Sequence, residues 1–245
     1  MEREPIRTRL GVVPVTGRLG AFDLSRPLVF VIRGAYPDPE LMHRLPDLLP
    51  EADVALVDLP GMHSPFFAEP GVEAFARGYD EVLATRFPGR RTVALGLSTG
   101  ALAALAMQGP ERLVLMEPPL ETGALWPFLP RLAGEVRRTA RREAKAWVEA
   151  VFGVTAEGVE GRDYRPLLTA CRKPGVVMVG GVPLDPPRDL ERPPSYVTAD
   201  AIGLVIRHPT LKLAVIGGAG HNIIAEGGPA ILDAVRQNLA AMAAG

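Results

Sequence analysis

The sequence predicts an α/β protein: a doubly wound, mostly parallel sheet with hairpin strands at its N-terminus and a small helical cap inserted after its middle. Three observations carry that expectation. Short uninterrupted apolar runs recur along the chain, and such runs belong to strands buried on both faces. Segments with helical spacing separate them at regular intervals. One stretch, residues 120–172, breaks the alternation and holds no strand-like run.

Taken in order, residues 10–24 read as a hairpin, with strand candidates at 12–15 (VVPV) and 21–24 (AFDL) around Thr16-Gly17-Arg18. Pro14 suits an edge strand, because proline cannot donate to a ladder. Residues 27–32 (PLVFVI) form the first core strand, which ends in the turn Arg33-Gly34-Ala35-Tyr36-Pro37. Leu41, Met42, Leu45 and Leu48 give residues 39–49 helical spacing. Residues 54–57 are the next strand and run into Asp58-Leu59-Pro60-Gly61-Met62-His63-Ser64. A helix over 71–87 buries Val72, Phe75, Ala76, Tyr79, Val82 and Leu83 on one face. Strands follow at 93–95 and 113–116, the latter ending at Glu117-Pro118-Pro119.

In the cap, Leu132, Val136, Ala140, Ala144, Trp147, Val148 and Val151 recur at helical spacing. The opposite face is basic, with Arg131, Arg137, Arg138, Arg141, Arg142 and Lys145, and reads as solvated. Trp126 and Phe128 precede this helix and either line an apolar pocket or anchor the cap. The sheet resumes at 176–179, followed by a loop rich in proline. A helix over 196–207, a last strand over 211–216, the loop Gly217-Gly218-Ala219-Gly220-His221 and a helix over 228–244 complete the chain.

Composition bounds the function. The 245 residues are enough for one large domain with a substantial core or for two small ones, and the chain is read as one domain. A net charge of −1 gives no sign of a nucleic-acid or membrane partner, and no apolar run is long enough to span a bilayer. Cys171 is the single cysteine, which excludes an internal disulfide framework and makes a reducing cytoplasm the default. The charged N-terminus lacks the apolar segment of a secretory signal.

The chemistry concentrates at one turn. Gly96-Leu97-Ser98-Thr99-Gly100 fits G-x-S-x-G and lies between an apolar strand and an Ala/Leu-rich helix. A strand turning sharply into a helix lifts the serine hydroxyl above the sheet edge, beside the unpaired N–H groups of the helix start. In open α/β sheets ligands bind at the carboxyl ends of the strands. Arg33, Gly34, Ala35, Asp58, Ser98 and Glu117 all fall at such ends.

Four segments in order therefore resemble the α/β hydrolases, and in particular the small esterase-like and thioesterase-like serine hydrolases. They are Arg33-Gly34-Ala35, the D-L-P-G segment from Asp58, the elbow at Ser98, and G-A-G-H ending at His221. The resemblance implies a serine hydrolase that cleaves a carboxylic ester or thioester of a small-molecule acyl substrate, with no metal or other cofactor. It implies Ser98 as nucleophile, His221 as base, and backbone N–H groups of Ala35 and Thr99 as oxyanion hole. For the acid, the position after the strand beyond the cap points to Asp185. Its loop is longer than the pattern and runs into Pro186-Pro187, so Glu117 and Asp189 stand as alternatives. Gly34, Tyr36, His63, Trp126 and Phe128 are the expected pocket residues. Related enzymes often carry histidine where Arg33 stands; the arginine is read first as a salt-bridged structural residue. A C–C bond hydrolase, an amidase, a lyase or a non-catalytic binding member uses the same fold, and a homodimer is compatible with the sequence.

Overall fold

A computed structural model describes residues 1–35, 40–125, 129, 134, 138, 142–155, 157–184 and 193–244. The sheet has eight strands: β1 (Glu2–Arg7), β2 (Val12–Gly17), β3 (Leu28–Ile32), β4 (Asp53–Val57), β5 (Thr92–Leu97), β6 (Arg112–Met116), β7 (Gly175–Gly180) and β8 (Leu211–Ile216). Their order is β1-β2-β4-β3-β5-β6-β7-β8. β1 pairs antiparallel with β2, and β2 antiparallel with β4; every other pairing is parallel.

The helices are α1 (Glu40–Leu48), α2 (Val72–Arg86), α3 (Thr99–Ala106), α4 (Arg142–Phe152), α5 (Arg165–Ala170), α6 (Ala199–Ile206) and α7 (Ile223–Ala243). Side chains of a strand alternate between faces, and here both faces are covered. Phe30, Ile32, Ala55, Val57 and Ala94 pack toward α2, α3 and the segment around α4. Val29, Val31, Leu56, Val93, Leu95 and Met116 pack toward α1 and α7. This two-sided burial is what the uninterrupted apolar runs encode. Among the described residues no helix is long and apolar enough to cross a membrane.

Four elements differ from the sequence expectation. The N-terminal hairpin joins 2–7 to 12–17, and 21–24 is not a strand. β1 is an edge strand reading E-R-E-P-I-R with mostly exposed side chains, so it carries no hydrophobic signal; charge and proline are how edges resist further pairing. Pro14 consequently lies on an inner strand, opposite Pro5 and beyond the three residues of β2 in register with β4. α6 starts at Ala199 rather than 196, capped by the Thr198 hydroxyl, which accepts the Ala201 N–H at 3.1 Å. α7 starts at Ile223, five residues before the expected start at Gly228, and bends at Gly227 ahead of Pro229.

The expected cap helix is described from Arg142 onward, with a second helix, α5, before β7. Trp147, Val148 and Val151 are buried, whereas Arg142 and Lys145 are exposed, as a solvated basic face requires. Trp147 packs edge-on against Phe152, ring centroids 5.5 Å apart.

Arg33 ties the ends of β3 and β4 together. Its Nη1 donates to Asp58 Oδ1 at 2.7 Å, and Arg3 from β1 bonds the other oxygen. Asp58 is buried, and its backbone carbonyl accepts the Tyr79 hydroxyl at 2.9 Å. Burial and the Asp58 charge push the Tyr79 phenol well above its usual range, so it stays a neutral donor. Arg33 is thus a salt-bridged residue. Removing one partner of a buried ion pair leaves the other uncompensated. Asp58→Ala is expected to lower stability to urea by about 3 kcal/mol with an unchanged m-value; a midpoint equal to wild type would contradict this role.

Candidate active site

The elbow is built by close approach of backbone. Ser98 has φ 52° and ψ −119°, a conformation costly for a residue with a side chain. Its N–H is held by the Met116 carbonyl at 2.8 Å, and its own carbonyl accepts the Ala101 N–H at 2.9 Å. The glycines on either side have no room for a side chain. A Cβ at Gly96 would lie 2.5 Å from the Gly100 oxygen, and one at Gly100 would lie 2.3 Å from the Ile32 oxygen. The same packing sets the end of β3 directly against the start of α3.

That contact sets the turn after β3, which carries Ala35, beside the start of α3, which carries Thr99. Thr99 is the first residue of α3, so its N–H has no carbonyl a turn earlier. Ala35 follows Gly34, whose Cα backs onto Leu97, the residue before the serine. Ala35 is half-buried, and Ser98 is buried, 8 % exposed.

Among the described residues, Ser98 and Glu117 are the non-glycine positions with positive φ, both at 52°. They end adjacent parallel strands, β5 and β6. Glu117 is fully buried and its carboxylate is saturated with donors. Oε1 accepts the Gly180 N–H at 2.6 Å and the Ser195 hydroxyl at 2.8 Å; Oε2 accepts the Tyr196 N–H at 2.7 Å. The fourth partner is His221 Nδ1, 3.0 Å from Oε2. Because the carboxylate already receives donors on both oxygens, the Nδ1 atom donates to it. The imidazole tautomer then leaves a lone pair on Nε2, the form a general base needs.

His221 lies in the loop after β8, with its backbone N–H on the Pro193 carbonyl at 3.2 Å. Its side chain is 12 % exposed. The Tyr196 ring stacks on the imidazole, centroids 3.7 Å apart and planes 20° from parallel.

Sequence-predicted residues can now be placed. Glu117 and His221 are in direct contact, and Ser98 stands at the same carboxyl edge of the sheet. Among the described residues no hydrogen bond joins the Ser98 hydroxyl to His221. Such contacts are commonly long before substrate arrives. Asp185 and Asp189 lie outside the described residues, as do Tyr36, Trp126 and Phe128. Among the described residues the carboxylate in reach of Nδ1 is Glu117, which the sequence offered as an alternative to Asp185. His63 is half-buried in the turn after β4, where its Nδ1 accepts the Leu59 N–H at 3.4 Å. His208 is structural: its Nδ1 accepts the Thr210 and Leu211 N–H groups, and Nε2 faces the Leu168 carbonyl at 3.1 Å.

Ser195 and Tyr196 were not singled out by sequence reasoning. The signal was partial: Pro193-Pro194 favours extended backbone and Thr198 is a good helix cap, which places Ser195, Tyr196 and Val197 ahead of the helix but assigns them no role. Among the described residues no group of three or more His, Cys, Asp or Glu could hold a metal ion.

Residues 28–240 match the sequence profile of the alpha/beta hydrolase family. The chain belongs to that family. Among curated proteins none matches the sequence significantly. Solved α/β hydrolase-like structures resemble it over nearly its whole length. A thermophilic esterase from Thermogutta terrifontis is 19% identical, with 99% of each chain covered and a TM-score of 0.67. A carboxylesterase from Bacillus subtilis is 15% identical, covers 96% of this chain and 90% of its own, and has a TM-score of 0.64. The N-formylmaleamic acid deformylase of Pseudomonas putida S16 is 17% identical, covers 96% and 100%, and has the same TM-score of 0.64. At these identities the likeness is one of fold.

Deleting the Glu117 carboxylate would orphan four donors at a fully buried position. Glu117→Ala is expected to cost about 3–5 kcal/mol in equilibrium unfolding; a loss under about 1 kcal/mol would contradict the buried network.

Proposed function

We propose that the chain is a serine hydrolase that cleaves a carboxylic ester or thioester of a small acyl substrate through an acyl-enzyme intermediate. The observation that carries this reading is the Glu117–His221 pair at the sheet edge, which fixes the imidazole tautomer with Nε2 free to accept a proton. The strained serine at the end of the neighbouring strand supplies the nucleophile.

A neutral hydroxyl attacks a carbonyl poorly, so a base must take its proton as the bond forms. In this mechanism His221 Nε2 accepts the Ser98 proton while Oγ bonds to the carbonyl carbon. Negative charge collects on the carbonyl oxygen. The Ala35 and Thr99 N–H groups stabilise it, helped by the partial positive charge at the start of α3. His221 then returns the proton to the leaving alcohol or thiol. Water attacks the acyl-enzyme by the same route in reverse, restoring the serine. Glu117 holds the ring and offsets the imidazolium charge in both halves, the role for which Asp185 was expected. A carboxylesterase and an esterase among the structural neighbours agree with an ester as the first substrate to try.

Ser98→Ala is expected to lower p-nitrophenyl ester hydrolysis by at least about a thousandfold with little change in melting temperature. A fluorophosphonate probe is expected to label Ser98 in wild type; labelling elsewhere, or none, would contradict the assignment.

The acid is tested by parallel substitutions. Glu117→Gln, in variant protein shown to be folded, is expected to lose about a hundredfold or more in kcat, and Asp185→Asn less than about threefold. The reverse order would return the role to Asp185.

A further inference from the structure

Glu117, at the end of β6, holds His221, and the described segment ahead of α6 supports that pair. That segment, Pro193-Pro194-Ser195-Tyr196, is held from both sides. The Ser195 N–H donates to the Val182 carbonyl at 2.8 Å, and the Pro193 carbonyl accepts the His221 N–H at 3.2 Å. Val182 in turn donates to the Ala219 carbonyl at 2.9 Å, so the loops after β7 and β8 are laced together by backbone. Ser195 is 1 % exposed and Tyr196 is 7 % exposed.

Two of the four donors to the Glu117 carboxylate come from this segment. The Ser195 hydroxyl takes Oε1 and the Tyr196 N–H takes Oε2. The hydroxyl direction is fixed, because Ser195 Oγ itself accepts the Val197 N–H at 3.2 Å and has its proton left for Glu117. The Tyr196 ring then covers one face of the imidazole that Glu117 binds.

We infer that Ser195 and Tyr196 are positioning residues for the acid and base. Ser195 stops the Glu117 carboxylate from turning about its terminal torsion, a broad and soft rotation in a free glutamate. Tyr196 blocks rotation of the His221 ring away from the plane in which Nδ1 meets Oε2, and presents a π-face to the imidazolium formed during turnover. The ring face makes this contact. Fixing a catalytic group within a fraction of an ångström is the kind of support a proton-transfer step requires. The effect on turnover rests on the hydrolase reading above; the effect on the Glu117–His221 bond does not.

The test compares Ser195→Ala, Ser195→Thr, Tyr196→Leu and Tyr196→Phe in the full chain. The first readout is the His221 Nδ1 proton in ¹H–¹⁵N spectra, which needs no turnover. A slowly exchanging resonance is expected in wild type. It is expected to broaden or vanish in Ser195→Ala and Tyr196→Leu, and to return in Ser195→Thr and Tyr196→Phe. The second readout is the rate of fluorophosphonate labelling of Ser98, with kcat and KM for a p-nitrophenyl ester. Ser195→Ala and Tyr196→Leu are expected to lose about tenfold in labelling rate and kcat at nearly constant KM, with most of the loss restored by the conservative partner.

Ser195→Ala removes one hydroxyl and no ring, so it reports even if Tyr196→Leu fails to fold. A wild-type Nδ1 resonance in folded Ser195→Ala overturns the inference, as does an unchanged labelling rate. Wild type that shows the Nδ1 resonance, loses it in the variants and takes up no probe supports the positioning role and counts against the hydrolase reading alone.

Discussion

A carboxylate sealed from water is tolerated only when donors replace the solvent it gave up. Glu117 is such a group, with no exposed surface and four donors drawn from three parts of the chain. Gly180 ends β7, Ser195 and Tyr196 precede α6, and His221 follows β8. Satisfying that one charge therefore holds the carboxyl ends of β6, β7 and β8 in fixed relation. The strained backbone at Glu117 is consistent with this: a positive φ persists where surrounding contacts over-determine it.

The same constraint links fold to chemistry. Ser98 N–H bonds the carbonyl of Met116, the residue before Glu117, so the elbow and the Glu117 turn are anchored to one another through adjacent strands. On the other side of the elbow, glycine at 100 lets the end of β3 close onto α3, which puts the Ala35 and Thr99 amides in the same neighbourhood. Arg33 contributes at a distance. It spends its charge on buried Asp58 and so stiffens the turn from which Ala35 projects.

Much of this was legible in the sequence because it is written in local patterns. Doubly buried strands read as apolar runs, and seven of the eight coincide with such runs or with the hairpin expected near residue 12. The elbow was legible because its steric needs fix glycine on both sides of Ser98. His221 was legible from its place after the last strand. What could not be read were features set by long-range pairing. β1 is an edge strand whose charged sequence hides its pairing with β2. The partner of His221 is decided by which strand end lies within reach of Nδ1, over a separation of more than a hundred positions. Ser195 and Tyr196 meet Glu117 and His221 through a backbone N–H, a hydroxyl and a ring face, and although the flanking prolines and Thr198 place them outside the helix, none of those contacts leaves a periodic trace.

The most direct measurement is a crystal structure of the chain after reaction with diethyl p-nitrophenyl phosphate. The account predicts phosphorus bonded to Ser98 Oγ, the phosphoryl oxygen within hydrogen-bond distance of the Ala35 and Thr99 amides, and Glu117 still against Nδ1 of His221. Phosphorus on another residue, or a different carboxylate against that nitrogen, would contradict it.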